Sequence, residues 1–158
     1  MIEIIITDSM REAAQAKADD MGSINRSMLD GKGNMIGFLG EEIMLHKFEC
    51  TQNNTYDYDI MVGDKKIDVK TKHCTTIPKE GYECSVQTYY DQKCDYYVFI
   101  RILKDLSRGW ILGAIKKDEF MDKAVHYKKG YHDKSNDFTF KADSYNLPIS
   151  KLHDLKVT

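Results

Sequence analysis

Residues 57–70, Asp57-Tyr58-Asp59-Ile60-Met61-Val62-Gly63-Asp64-Lys65-Lys66-Ile67-Asp68-Val69-Lys70, constrain the fold more than any other stretch, because they read as a β-hairpin with a defined turn. Gly63-Asp64 is a glycine-containing pair suited to a two-residue loop. With that loop Val62 pairs with Lys65, Ile60 with Ile67 and Tyr58 with Val69, which sets Asp59 opposite Asp68 and Asp57 opposite Lys70. Side chains alternate faces along a strand, so Tyr58, Ile60, Val62, Ile67 and Val69 form one apolar face. The other face carries Asp57, Asp59, Lys66, Asp68 and Lys70. Directly opposed Cβ atoms lie roughly 5 Å apart, and like charges there repel. Asp59 against Asp68 therefore calls for a cation between them. A three-residue loop would shift the register and separate the acids, and a solvated face of mixed charge is the plain alternative.

At 158 residues the chain has room for one domain with a real core and too little for two. Its 42% hydrophobic and 30% charged residues match a globular chain and exclude a disordered one. No apolar run approaches the roughly 20 residues of a membrane span. Met1 to Asp8 lacks the basic leader and cleavage site of a secretory signal, so a cytoplasmic location is expected, in a bacterial or phage-infected cell. Cys50, Cys74, Cys84 and Cys94 include no C-x-x-C pair, which points to reduced, partly buried thiols rather than zinc. The net charge of -2 leaves any phosphate contact to local basic surface. Two stretches offer one: Lys65 to His73, and His126 to Lys134, where Tyr127 and Tyr131 interleave with the basic residues.

Along the chain, Ile2 to Ile6 reads as a short buried strand, and Ser9 with Glu12 as a capping box opening a helix that Gly22 ends. A second, central helix spans Met35 to Phe48. There Gly37, Glu41, Met44, Leu45 and Phe48 share a face, while Glu42 lines up with Phe38, Leu39 and His46, so periodicity leaves the two acids as alternatives. Gly37 and Gly40 each cost helix stability, about 1 kcal/mol relative to alanine, which implies close packing against them. Beyond the hairpin the reading is loop for Thr75 to Tyr82, a short helix for Ser85 to Lys93, strands for Asp95 to Leu103 and Trp110 to Ile115, and a helix for Lys117 to Tyr127. Gly130 to Asn146 is polar with weak periodicity. The pattern predicts an α/β fold, a mixed central sheet flanked by helices.

Hydrolysis of a phosphodiester needs an activated water, neutralisation of charge in the transition state, and help for the leaving oxygen, all of which a divalent metal supplies. Magnesium takes oxygen ligands and is held by one or two carboxylates with waters and substrate phosphate, a number that Asp59 and Asp68 meet. Lys70, two residues beyond Asp68, can orient the water or stabilise charge. The set Gly37-Phe38-Leu39-Gly40-Glu41 on a helix, then Tyr58-Asp59-Ile60, then Ile67-Asp68-Val69-Lys70-Thr71-Lys72, resembles the PD-(D/E)XK nuclease superfamily over residues 35–103. That superfamily places a glutamate on a helix, an aspartate at a strand start and an acid-x-lysine on the next strand.

The resemblance implies a restriction-endonuclease-like fold over residues 1–158, with 1–34 as an N-terminal extension, 35–103 as nuclease core and 104–158 as a C-terminal strand, helix and tail. It implies Asp59, Asp68, the Val69 carbonyl and Glu41 as ligands of Mg2+ or Mn2+, Lys70 as the catalytic lysine, and Lys72 and Gln87 as substrate contacts. Asp57 competes with Asp59, but register sets it against Lys70. An exonuclease branch carries glutamine followed four residues later by tyrosine; here Gln87 is followed by Tyr90 and then Asp91. The expected function is a magnesium-dependent deoxyribonuclease, an endonuclease acting on DNA as a monomer or homodimer. A non-catalytic nucleic-acid-binding or assembly protein on the same fold is the alternative.

Overall fold

The computed structural model describes residues 1–21, 32–87 and 92–155. In chain order the elements are β1 (Ile2–Ile5), α1 (Asp8–Met21), α2 (Lys32–Lys47), β2 (Thr51–Gln52), β3 (Ile60–Val62), β4 (Lys65–Cys74) and β5 (Glu83–Gln87). They continue with β6 (Tyr96–Leu103), β7 (Arg108–Lys116), α3 (Lys117–Lys123), β8 (Val125–Tyr127), β9 (His132–Asp133), β10 (Phe138–Thr139) and β11 (Ser144–Pro148). A six-stranded mixed sheet runs β1-β7-β6-β4-β3-β2, in which β4 and β6 are parallel. A second sheet runs β5-β11-β8, and β9 pairs with β10 as a separate hairpin. The architecture is mixed α/β.

The predicted two-residue turn forms, with Gly63 at φ +59° supplying the positive φ such a loop needs at its first position. Val62 pairs with Lys65 and Ile60 with Ile67, as the pattern requires. The ladder then stops. Tyr58 does not pair with Val69 as a strand partner, nor Asp59 with Asp68, because the chain before Ile60 leaves the sheet and lays Asp59 along the edge of β4. There the Asp59 N–H donates to the Ile67 carbonyl at 2.9 Å.

Alternation along β4 sorts the two cores. Ile67 and Val69 join Ile60, Val98 and Ile100 under Leu39, Ile43 and Met44 of α2 and Ala14 and Ala18 of α1. On the opposite face Tyr97, Phe99, Trp110 and Leu112 pack with Phe120 of α3 and with Cys84, Val86 and Leu147 of the second sheet. Residues 1–21, read from the sequence as an extension, thus supply both an edge strand and a layer of the first core.

Five local readings change. Ile2–Ile5 is an edge strand paired only with β7, so Ile4 is buried while Ile5 is 66% exposed. The cap of α1 is Thr7, whose Oγ1 accepts from the Met10 N–H at 3.2 Å, two residues ahead of the predicted box at Ser9. Ser85 to Gln87 is strand, not helix: Cys84 and Val86 point inward between exposed Glu83, Ser85 and Gln87, a period of two, and β11 pairs along it. The rest of that predicted helix, apart from residues 92 and 93, lies outside the described residues. The helix from Lys117 ends at Lys123, because Ala124 turns extended (ψ 149°) and Val125–Tyr127 pairs with β11. Within 130–146 the weakly periodic segment holds β9, β10 and the start of β11.

The two helix glycines differ. A Cβ on Gly40 would fall 1.9 Å from Thr71 Oγ1 and 3.0 Å from Thr71 Cβ, so α2 and β4 touch here backbone to side chain. Gly37 has nothing within 4 Å among the described residues, and the expected close packing is absent there. Thr71 is β-branched and cannot swing clear. Gly40→Ala is therefore expected to lower stability by about 1–3 kcal/mol through overpacking. Gly37→Ala should be neutral or stabilising by up to about 1 kcal/mol from helix propensity. Urea denaturation of both variants checks the pair, and equal effects would contradict this packing.

Candidate functional site

The close approach at Gly40 sets the next residue, Glu41, beside the free edge of β4, where it is 6% exposed. Glu41 arrives from the helical face. Asp68, 4% exposed, projects to the other face by strand alternation, and Asp59 lies between them at the edge that β3 has vacated. Asp59 Oδ2 accepts from the Val69 N–H at 2.8 Å, a backbone donor left over because the ladder ended at Ile60. The carboxylates meet around an edge, not on one face of a hairpin. The sequence reading of a single acidic face is corrected in that respect.

Each acid has polar supports. Gln52 on β2 donates to Glu41 Oε2 at 2.9 Å. Asn54, in a left-handed conformation at φ 47°, donates to the same oxygen at 2.9 Å when its amide nitrogen faces the carboxylate. Lys17 of α1 reaches Gln52 Oε1 at 2.6 Å and pairs with Glu42, which also lies 3.5 Å from His46 Nε2. Both helix acids are buried, and their partners separate them: Glu42 is neutralised by Lys17, while Glu41 faces Asp59. Asp68 Oδ1 accepts from Gln92 Nε2 at 3.2 Å. Lys70 Nζ lies 2.6 Å from Asp68 Oδ2 and donates to Gln92 Oε1 at 3.3 Å. Beyond this ion pair, Oδ2 has no hydrogen bond among the described residues. Asp57 instead accepts from the Lys93 N–H at 3.0 Å, a loop-holding role, and does not face Lys70.

The electrostatics follow from the crowding. Burial, then the charges of Asp68 and Glu41, push Asp59 up to about 8, against the pull of the Val69 N–H and Lys70. Burial also raises Glu41, opposed by its contacts with Gln52 and Asp59. Without a cation the cluster holds a proton at neutral pH.

No three His, Cys, Asp or Glu side chains among the described residues are already gathered as a closed cation site. The donor set nonetheless suits magnesium or manganese: hard oxygens on Asp59 and Asp68, with Asp68 Oδ2 engaged only by the Lys70 ion pair. Lys72 and Gln87 line a cleft of about 450 Å³ that starts at Lys70 and Gln92. The cysteines are free, and burial pushes the Cys84 thiol up to about 12 and Cys94 up to about 11, as for unreactive core residues. Lys17, Gln52, Asn54 and Gln92 escaped the sequence reading. Each is a common surface residue type, 11 or more positions from the acid it contacts, with no spacing to mark it.

No protein-family model matches this chain, and no curated protein compared with it is similar to it. Among the described residues no helix is long and apolar enough to cross a membrane.

The raised Asp59 gives a pH dependence of defined sign. Its folded value of about 8 exceeds the ordinary 3.8, so between these pH values the folded state keeps a proton that the unfolded chain releases, and stability falls as pH rises. In chelator, Tm should drop between about pH 5 and pH 8. Asp59→Asn keeps an acceptor for the Val69 N–H and offers a donor to Glu41. It should raise Tm near pH 8 by about 2–4 °C or more and flatten the slope. A thermal melt series shows this, and an unchanged slope would mean that Asp59 is ionised in the fold.

Proposed function

We propose that this protein is a divalent-metal-dependent nuclease that hydrolyses phosphodiester bonds in DNA, built on the PD-(D/E)XK plan. The observation that carries the reading is the convergence of Glu41, Asp59 and Asp68 at the vacated edge of β4, with Lys70 Nζ 2.6 Å from Asp68. Two buried acids and a half-buried third with mutual repulsion are unstable without a counter-charge, and one lysine offsets only part of it. Asp59 and Asp68, with the Val69 carbonyl and Glu41, would hold Mg2+ or Mn2+. The ion supplies charge neutralisation at the phosphate and an acidified water.

The chain's own residues do the rest. Gln52 and Asn54 hold Glu41 in place, so its carboxylate is preorganised at the edge. Val69 N–H fixes Asp59, and Gln92 fixes both Asp68 and Lys70. Lys70 also sits 5.9 Å from the Tyr97 ring centroid, a contact that keeps its ammonium close to the sheet. From there it can carry charge toward the phosphate or orient water.

A second reading, a DNA-binding module without turnover, draws on the same 2.6 Å contact, since Lys70 already neutralises Asp68 internally. Calorimetry separates the two. Nuclease action predicts Mg2+ or Mn2+ binding that Asp68→Ala removes. It also predicts that Asp68→Ala and Lys70→Ala each lower metal-dependent DNA cleavage at least about a hundredfold, as expected for groups that stabilise transition-state charge. The folded state should persist, as read by circular dichroism. Full cleavage by both variants would refute the site.

A further inference from the structure

Beside the acids the fold leaves a trough whose near end is cationic. β4 and β6 run parallel in register, so Lys70 stands next to Phe99 and Lys72 next to Arg101. Asp68, Lys70 and Lys72 share a face, each step of two residues advancing about 6.6 Å. The cleft of about 450 Å³ begins at Lys70 and Gln92 and reaches Lys72, Gln87 and Arg101. A second hollow of about 520 Å³ continues from Lys72, Gln87 and Arg101, past Glu83 and Asp133, to Phe138, Phe140 and Lys141. The shared residues make the two hollows neighbours along one trough.

Two features of this trough ask for a ligand. Lys72 and Arg101 lie side by side, and neither has a carboxylate within ion-pair distance among the described residues. Arg101 spends one donor on the Glu83 carbonyl at 2.7 Å, which holds the guanidinium against β5 and leaves its other N–H groups for an anion. Partial shelter in the cleft, then the neighbouring Arg101, pull Lys72 down although its side chain stays exposed, as two cations side by side on one wall do. At the far end Phe138 is 49% exposed, although it sits in a cluster: its ring is edge-on to Phe140 at 5.1 Å, and Phe140 stacks on Tyr127 at 4.6 Å and 7°. An exposed phenyl ring braced by Phe140, itself stacked on Tyr127, offers a flat face for stacking.

We propose that this trough binds single-stranded DNA, with Lys72 and Arg101 taking a phosphate and Phe138 stacking on an unpaired base. The inference rests on the nuclease reading and narrows it, to substrates with an unpaired strand or flap entering beside Asp68. Paired bases in a duplex keep their faces covered, so Phe138 would gain nothing from one.

The test is fluorescence anisotropy on the full chain in chelator, so that cleavage does not intervene, with a labelled strand of about 12 nucleotides and the blunt duplex of the same sequence. The single strand should bind at least about tenfold more tightly than the duplex. Arg101→Gln should weaken binding and lower the salt slope by about one, whereas Arg101→Lys keeps the slope. Phe138→Ala, on an exposed two-residue strand and so expected to fold, should weaken single-strand binding about tenfold with the slope unchanged. Equal or tighter duplex binding, or wild-type affinity in Phe138→Ala, overturns the proposal. Single-strand preference in a protein that cleaves nothing would sustain the trough while removing the nuclease reading, so the two fail separately.

Discussion

Two neighbouring strands that run in the same direction cannot be joined by a tight turn, and β4 and β6 are such a pair. The chain between Cys74 and Tyr96 must cross back over one face of the sheet before it can pair again. In this protein the described part of that crossover carries β5, which joins the second sheet, and Gln92, which returns to touch Asp68 and Lys70. The parallel pairing therefore does three things at once. It sets Lys72 beside Arg101, builds the wall opposite them, and delivers the amide that ties the acid to its lysine. Were β4 and β6 antiparallel, the register that aligns these cations would be lost.

The second constraint is electrostatic. Buried carboxylates at the edge of β4 repel one another, and two cations further along the same face repel one another too. Each half lacks the counter-charge that the other could not supply without collapsing the cleft between them. A phosphodiester with a divalent cation meets both needs, cation to the acids and phosphate to the bases. That complementarity is the physical basis of the proposed nuclease function, and it concerns the pair of sites rather than either alone.

Much of the local structure was legible because it depends on neighbours in sequence. Gly63-Asp64 specifies a turn, and the alternation of Ile67, Asp68, Val69 and Lys70 specifies which side chains share a face. Helix α2 was legible from composition, although its acids were not separable by periodicity, since Glu41 and Glu42 are both buried. The misread segments share a cause. Ser85–Gln87 and Val125–Tyr127 are strands only because β11 lies between β5 and β8, and such short runs carry too little periodicity to reveal a partner 17 or more residues away.

The sequence by itself determined the hairpin turn, its first three residue pairs and the presence of Asp68 and Lys70 on a common strand face, because those follow from backbone sterics and a period of two. Only the tertiary structure decided where the third acid stands, which helix acid joins it, and what supports them. Asp59 leaves the ladder to take up the Val69 N–H, Glu41 reaches the edge because Gly40 lets α2 close on Thr71, and Lys17 occupies Glu42. These contacts join residues up to some tens of positions apart, through packing and charge that no local pattern encodes.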